Sequence, residues 1–104
     1  NKQPLVGSWQ MEVYLINGND ATTDMTLTWE FLIDGTFRQH MQFPAERLAE
    51  EARLFLDEGN MLRLEYPGNP SPVYWKIEHL NRNQLSVEYT RPGFLVIRKF
   101  SRLK

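Results

Sequence analysis

The chain has 104 residues and no cysteine, and its formal net charge of −1 comes from 12 Lys and Arg against 13 Asp and Glu. This length is typical of one domain, so we expect a single domain over residues 1–104. Proteins that bind nucleic acids usually carry a basic surface, so the balanced charge predicts no nucleic-acid partner. The lack of cysteine excludes disulfides and thiol nucleophiles, and no apolar run approaches the roughly 20 residues of a membrane-spanning helix.

The first predicted strand covers residues 5–16, where apolar and polar side chains alternate as they do in a half-buried strand. Its apolar face holds Trp9, Met11, Val13 and Leu15. The polar run that follows contains an Asn-Gly step, which is typical of a turn. We therefore expect Trp9 to point into the core near the start of the chain.

A β-hairpin is predicted next, with strands at residues 25–33 and 36–43 around the turn signal Asp34-Gly35. Threonine and aromatic residues are frequent in it, and they suit a pleated, half-buried surface. The inner faces of this hairpin hold Met25, Leu27, Trp29, Phe31, Ile33, Phe37, Gln39, Met41 and Phe43.

The segment after this hairpin has the composition of a helix. Proline is tolerated in a first helical turn, which suits Pro44, and residues 45–52 are mostly good helix formers. We predict a short helix near residues 44–52. The alternative, a strand extended backwards from Leu54, has the weak β propensity of these residues against it.

The second half of the chain predicts five more strands, at residues 53–57, 61–66, 73–80, 84–90 and 94–103. Their inner faces include Tyr66, Trp75, His79 and Tyr89, together with two arginines of the last strand, Arg98 and Arg102. Eight short strands joined by tight turns predict an all-β fold, an eight-stranded antiparallel up-and-down barrel without exposed edges.

Several short motifs give the chain a resemblance to the small bacterial lipocalin-like domains of the calycin superfamily. The motifs are LVGSW at residues 5–9, FLIDGTF at 31–37, YWKIEHL at 74–80 followed by QLSV at 84–87, and RKFSR at 98–102. The resemblance spans nearly the whole chain and implies a lipocalin-like barrel, in agreement with the strand pattern.

The resemblance also implies roles for particular residues and a location. In lipocalins a tryptophan of the first strand packs under an arginine from near the chain end. Trp9 matches that tryptophan, and Arg98 or Arg102 matches the arginine, so these residues are expected to close one end of the barrel. The resemblance further implies an exported protein, periplasmic, on the outer membrane or secreted, with an N-terminal lipid anchor before Asn1.

Together the resemblance and the aromatic interior predict a binding module that holds a small hydrophobic or amphipathic ligand in the barrel. The residues expected to line that site are Trp29, Phe31, Gln39, Met41, Tyr66, Trp75 and Tyr89. The alternative left open is a barrel filled by these side chains, acting as a protein-interaction or structural module of an exported protein.

Other chemistry has little support in the sequence. Two isolated histidines, His40 and His79, do not make a metal site, and neither a Gly-x-Ser-x-Gly motif nor a Gly-rich phosphate loop is present. We therefore expect no enzyme activity, no metal and no cofactor. Four apolar residues at outward positions would mark a homodimer or partner surface if they cluster, namely Tyr14, Leu32, Phe55 and Leu95.

Overall fold

The computed structural model describes residues 3–21 and 25–103 of the chain. A short 3-10 helix, Gln3–Leu5, precedes the strands. The strands are β1 (Gly7–Ile16), β2 (Asn19–Asp20), β3 (Thr26–Phe31), β4 (Thr36–Gln42), β5 (Arg47–Asp57), β6 (Met61–Glu65), β7 (Val73–Leu80), β8 (Gln84–Arg91) and β9 (Phe94–Arg102). Asn1, before which a lipid anchor is expected, lies outside the described residues.

Backbone pairing closes these strands into a barrel. From β3 to β9 each strand pairs antiparallel with the next, and β1 pairs with β3 on one side and β9 on the other. The two-residue β2 only extends β1 as a hairpin. The eight longer strands thus form the predicted closed antiparallel barrel, and closure pairs the backbone groups that an open edge would expose.

The barrel has two ends, which its up-and-down topology makes easy to define. One end, termed the floor, contains the start of β1 at Gly7 and the end of β9 at Arg102. The opposite end, termed the mouth, is formed by the connections at residues 17–18, 43–46, 66–72 and 92–93.

The helix predicted near residues 44–52 is wrong. This segment enters β5, Arg47–Asp57, which is hydrogen-bonded to β4 over residues 47–53 and to β6 over residues 53–57. Helix propensity is a weak preference that tertiary context overrides. Here the strand completes the ring between β4 and β6 and turns Ala52 and Leu54 into the core.

A β-bulge in β1 changes which of its side chains face inward. The register with β9 is regular as far as Met11 and shifts by one residue before Val13, with Glu12 as the extra residue. Such an insertion reverses the alternation beyond it. Tyr14 therefore packs against the core, and the prediction that Tyr14 faces outward while Val13 and Leu15 face inward is wrong.

A second bulge, in β7, moves His79 to the outside. The register with β8 shifts between Ile77 and His79, with Glu78 as the extra residue. Ile77 and Leu80 pack against the core, whereas His79 is exposed. The inward position expected for His79 is therefore wrong, for the same reason as in β1.

The core is one apolar cluster to which every long strand contributes. Each large side chain buried in it contributes roughly 1.5–3 kcal/mol. Ile33, expected on the inner face of the strand predicted at residues 25–33, is not part of this core. That strand ends at Phe31, and Ile33 is exposed in the turn that follows. The buried members are Leu5, Trp9, Leu27, Trp29, Phe31, Phe37, Ala52, Leu54, Leu62, Leu64, Trp75, Leu85, Val87, Val96 and Phe100.

Candidate functional site

The floor is closed by Arg102. Its guanidinium carbon lies 4.2 Å from the centre of the Trp9 ring. Its three nitrogens donate hydrogen bonds to the carbonyl oxygens of Arg82, Val6 and Pro4, at 2.6, 2.8 and 2.7 Å. Trp9 in turn donates from Nε1 to a carbonyl oxygen of the 3-10 helix at 2.9 Å. The floor therefore ties the N-terminal turn, the β7–β8 turn and the last strand together.

Trp29 occupies the centre of the barrel. Its ring stacks on Phe100 at 4.5 Å between centres and meets Phe37 and Trp75 edge-on, each at 5.3 Å. Its Nε1 donates a 2.7 Å hydrogen bond to Oε1 of Gln39. Gln39 is the one buried polar side chain among the residues described. Packing and a satisfied hydrogen bond thus fill the barrel centre with side chains.

The seven residues predicted to line a ligand site separate into two groups. The first group is buried in the core and consists of Trp29, Phe31, Gln39 and Trp75. The second group is half-buried, packs on the core from the mouth side and consists of Met41, Tyr66 and Tyr89. The two groups touch where the ring of Trp75 lies 5.6 Å from that of Tyr89. The second group therefore borders the mouth, and Trp75 lies next to it in the core.

Arg98 lies in the middle of β9 and faces into the barrel among aromatic rings. Its guanidinium carbon is 4.8 Å from the ring centre of Tyr14, 5.1 Å from that of Trp75 and 6.0 Å from that of Trp29. Its Nε is buried and has no hydrogen-bond partner. Of the two arginines offered as partner for Trp9, Arg102 takes that place, and Arg98 is left inside the barrel.

Tyr66, in the connection at residues 66–72 of the mouth, lies near enough to Glu50 and Arg98 to feel their charges. Burial raises the pKa of Tyr66 to about 12, the Glu50 carboxylate adds to this rise, and the Arg98 cation opposes it. Glu50 lies opposite the inward-facing Gln39 in the β4–β5 pairing, which places it on the inner face. At neutral pH the Tyr66 hydroxyl is therefore protonated and available as a hydrogen-bond donor.

The residues predicted as an outer apolar surface do not form one. Tyr14 lies inside the barrel, paired across the strands with Arg98. Phe55 does face outward, but the guanidinium of Arg63 covers its ring at 4.2 Å. The surface expected from Tyr14 and Leu95 together is therefore wrong, because the β1 bulge removes one of its two members.

Among the clefts that the described residues form on the outer surface of the barrel, two involve residues considered above. One, of about 340 Å³, is lined by Glu12, His79, Ser86 and Lys99 among others. The other, of about 390 Å³, lies beside the proline loop at residues 67–72. The part of the chain that the structure describes holds no group of three or more His, Asp or Glu that could bind a metal ion.

No helix within residues 3–21 or 25–103 is long and apolar enough to cross a membrane.

Sequence reasoning missed two residues of the mouth, Tyr14 and Glu50. The alternation in β1 predicts Tyr14 on the outside, because nothing in the residue types marks the extra residue at Glu12. Glu50 falls within the predicted helix, whereas it lies in β5 on the inner face. The available signal for Glu50 was parity, since it alternates with Ala52 and Leu54, both of which are buried.

The barrel has a counterpart among solved structures. The crystal structure of a lipocalin-like protein from Bacteroides uniformis ATCC 8492 matches this chain with a TM-score of 0.77. The match covers 96% of this chain and 99% of that chain, at 18% sequence identity. The chain has the lipocalin-like fold. No protein-family model matches the sequence, and no curated protein matches it either.

At this identity the likeness concerns the fold, so any site must be argued from the residues of this lipocalin-like barrel. Those residues give a closed floor at Trp9 and Arg102, a filled centre at Trp29, and a mouth bordered by half-buried aromatic side chains.

Proposed function

We propose that this lipocalin-like barrel is a binding module that holds one small hydrophobic or amphipathic ligand at its mouth. The contrast between the two ends carries the proposal. Trp9 and Phe31 are fully buried, whereas Met41, Tyr66 and Tyr89 border the mouth with half-buried side chains. A concave apolar surface with a few placed polar groups is typical of small-molecule sites.

The packing of the centre limits how far a ligand reaches. Trp29 is stacked on Phe100 and held by Gln39, so the interior below it is occupied by side chains. A ligand therefore lies above Trp29 and Trp75, and its far end remains at the mouth. This geometry suits a small molecule or the end of a longer amphipathic one better than a large enclosed ligand.

The test is a titration of the purified chain with medium-chain alkyl probes, followed by intrinsic tryptophan fluorescence and native mass spectrometry. We expect saturable binding of one probe per chain. The probe should change the tryptophan fluorescence, because Trp75 and Trp29 form the base of the proposed site. Tyr89→Ala should weaken binding about tenfold, since it removes a wall of the site. The matched control, Tyr74→Ala, changes a tyrosine of the outer face and should leave affinity unchanged.

Two results would refute the proposal. One is the absence of saturable binding for every alkyl probe. The other is an equal loss of affinity in Tyr89→Ala and Tyr74→Ala, which would place the probe on the outer surface rather than at the mouth.

Export and an N-terminal lipid anchor, implied by the resemblance, stay predictions about location. Fractionating cells that express the full gene product tests them. Recovery in the membrane or secreted fractions supports export, and recovery only in the cytoplasm contradicts it.

A further inference from the structure

We propose that one edge of β5, at residues 47–51, pairs antiparallel with the same edge of a second copy of this chain. We term this segment the free edge. The contact is a short β-ladder with Ala49 of one copy opposite Ala49 of the other. It goes beyond the proposed function and does not depend on a ligand at the mouth.

The closed ring of strands leaves part of β5 uncovered. On one side β5 pairs with β4 over residues 47–53, whereas on the other side it pairs with β6 only over residues 53–57. Just beyond β6 the chain reaches Pro67, which has no N–H and cannot continue a ladder. Among the described residues, therefore, no strand lies along the other side of residues 47–51.

The backbone groups of alternate residues point outward from this free edge. The C=O of Glu46 and the N–H of Leu54 both form hydrogen bonds on the β4 side of the strand, each at 2.8 Å. Successive residues of a strand direct these groups to opposite sides, and the β4–β5 register is regular. The N–H and C=O groups of Arg47, Ala49 and Glu51 therefore point away from β4. All three residues are exposed, and such an edge can pair with another strand.

The order of charges along the free edge selects one register for a second copy. With Ala49 opposite its own counterpart, Arg47 of each copy lies opposite Glu51 of the other. Moving the second strand by two residues places Glu50 opposite Glu50 in one direction and Glu46 opposite Glu50 in the other. Like charges that lie directly opposite each other are destabilising. The register centred on Ala49 avoids them and pairs opposite charges.

A row of charges on the outer face of the barrel leads to the same edge. Glu30, Arg38 and Glu51 lie opposite one another on three neighbouring strands. A nitrogen of Arg38 lies 3.8 Å from a carboxylate oxygen of Glu30, and another lies 3.0 Å from one of Glu51. The alternation of sign ends with Glu51 at the free edge. Arg47 of the second copy would take the next place in the row and continue it.

Arg47 has its charge available for this contact. Its Nε donates a 2.7 Å hydrogen bond to Oε1 of Gln42, and it forms no ion pair with a residue in the ranges 3–21 and 25–103. Exposed ion pairs add little affinity, but opposite charges across an interface fix its register. The backbone ladder thus supplies the contact, and the two arginine–glutamate pairs define the partner as a second copy.

The experiment measures self-association by sedimentation velocity from about 10 μM to about 1 mM, because a short ladder forms a weak dimer. We expect the wild-type chain to change from monomer to dimer over this range. Arg47→Glu alone and Glu51→Arg alone place like charges opposite each other, and each should weaken association at least about tenfold. Arg53→Glu is the matched control. It makes the same charge change on the same strand, but opposite Glu65 of β6, and should leave association unchanged.

Mixing the two variants is the decisive measurement. An equimolar mixture of Arg47→Glu and Glu51→Arg should associate as the wild type does. In the mixed dimer both contacts join an acidic side chain of one copy to an arginine of the other. Recovery in the mixture would also show that neither variant lost association by failing to fold.

Two further variants test the register and the backbone contact. The chain has no cysteine, and opposite residues of a hydrogen-bonded pair lie about 5.5 Å apart between Cα atoms, within reach of a disulfide. Ala49→Cys should therefore form a covalent dimer on oxidation, whereas Arg47→Cys should not. Ala49→Pro removes an N–H that points away from β4. It should abolish association and leave the circular dichroism spectrum unchanged.

Three results would overturn the proposal. One is a wild-type chain that stays monomeric up to about 1 mM. Another is association that neither Arg47→Glu nor Glu51→Arg weakens, which would place the dimer contact elsewhere. The third is faster cross-linking of Arg47→Cys than of Ala49→Cys. Since none of these measurements uses a ligand, the binding function proposed for the mouth stands or fails separately.

Discussion

The guanidinium of Arg102 lies 4.2 Å over the ring of Trp9, and this contact joins the last strand of the barrel to the first. The two residues are also cross-strand partners in the β1–β9 pairing. The first and last strands are thereby held together where the ring of strands closes, so this contact is a suitable place to test what stabilises the fold.

Replacing Arg102 should destabilise the barrel. Arg102→Met removes a cation–π contact worth about 0.5–2 kcal/mol and three hydrogen bonds from a charged donor, each worth up to about 1.5–3 kcal/mol. Partial exposure reduces these values, so we expect a loss of about 2–4 kcal/mol in the free energy of unfolding, measured by urea denaturation. Arg91→Met, at the exposed rim, should change it by less than about 0.5 kcal/mol. Equal midpoints for Arg102→Met and the wild type would contradict the prediction.

The glycine before Trp9 should be required by the same contact. Gly7 has φ +132°, and a Cβ built on it would lie 2.6 Å from Nη1 of Arg102. Gly7→Ala should therefore cost about 1–3 kcal/mol through backbone strain and additionally displace Arg102. Combining it with Arg102→Ala should reduce its cost by about 1 kcal/mol, a coupling that a double-mutant cycle measures. Strictly additive effects would show that the two residues do not compete for space.

Gly68→Ala is the control for backbone strain alone. Gly68 also has a positive φ, +78°, but an added Cβ would meet nothing within 4 Å. Its replacement should not couple to Arg102.

The hydrogen bond between Trp29 and Gln39 should behave as a buried pair. Gln39→Leu leaves the Nε1–H of Trp29 without an acceptor, at a cost of about 1–3 kcal/mol. In a Trp29→Phe background the same change should cost less, since no donor is then left unpaired. Chemical denaturation of the two single variants and the double variant measures the coupling. A double variant that loses the full sum would show that Gln39 contributes packing alone.

Tyr66 should ionise later than an ordinary tyrosine. Burial mainly raises the pKa of its hydroxyl to about 12, from the ordinary tyrosine value of 10.0. Because the folded chain disfavours the phenolate, the ionisation of Tyr66 leaves the free energy of unfolding unchanged below pH ~10. It lowers that free energy as the pH rises from about 10 through about 12. The ultraviolet absorbance of tyrosinate should show a late step that Tyr66→Phe abolishes. Tyr74→Phe, at an exposed position, should leave that step in place.

Much of the barrel was predictable because its inward residues follow period two over long stretches. The hairpin around Asp34-Gly35 shows this, since Trp29, Phe31 and Phe37 all face the core as their alternation predicts. The pairing of Trp9 with an arginine could be expected from the resemblance. The choice of Arg102 over Arg98 could not, because both have the same parity on β9.

Two kinds of physical effect lay beyond the sequence pattern. In residues 44–52 local propensity and long-range pairing disagree, and pairing prevails, because β5 satisfies backbone groups of both β4 and β6. At Glu12 and Glu78 a bulge reverses which side chains of the strand face inward, and a glutamate at these positions does not indicate a bulge. The members of the mouth that were missed, Tyr14 and Glu50, follow from these two effects.

The bulge at Glu12 changes which side chains of β1 face the barrel interior on its two sides. Before the bulge the odd-numbered side chains face inward toward the floor, and after it the even-numbered side chains face inward toward the mouth. Gaining or losing one residue at this point would exchange Tyr14 for a neighbour at the mouth while leaving Trp9 under Arg102. The barrel can therefore acquire a different lining at one end by a single-codon insertion or deletion, with the contact that joins its first and last strands unchanged.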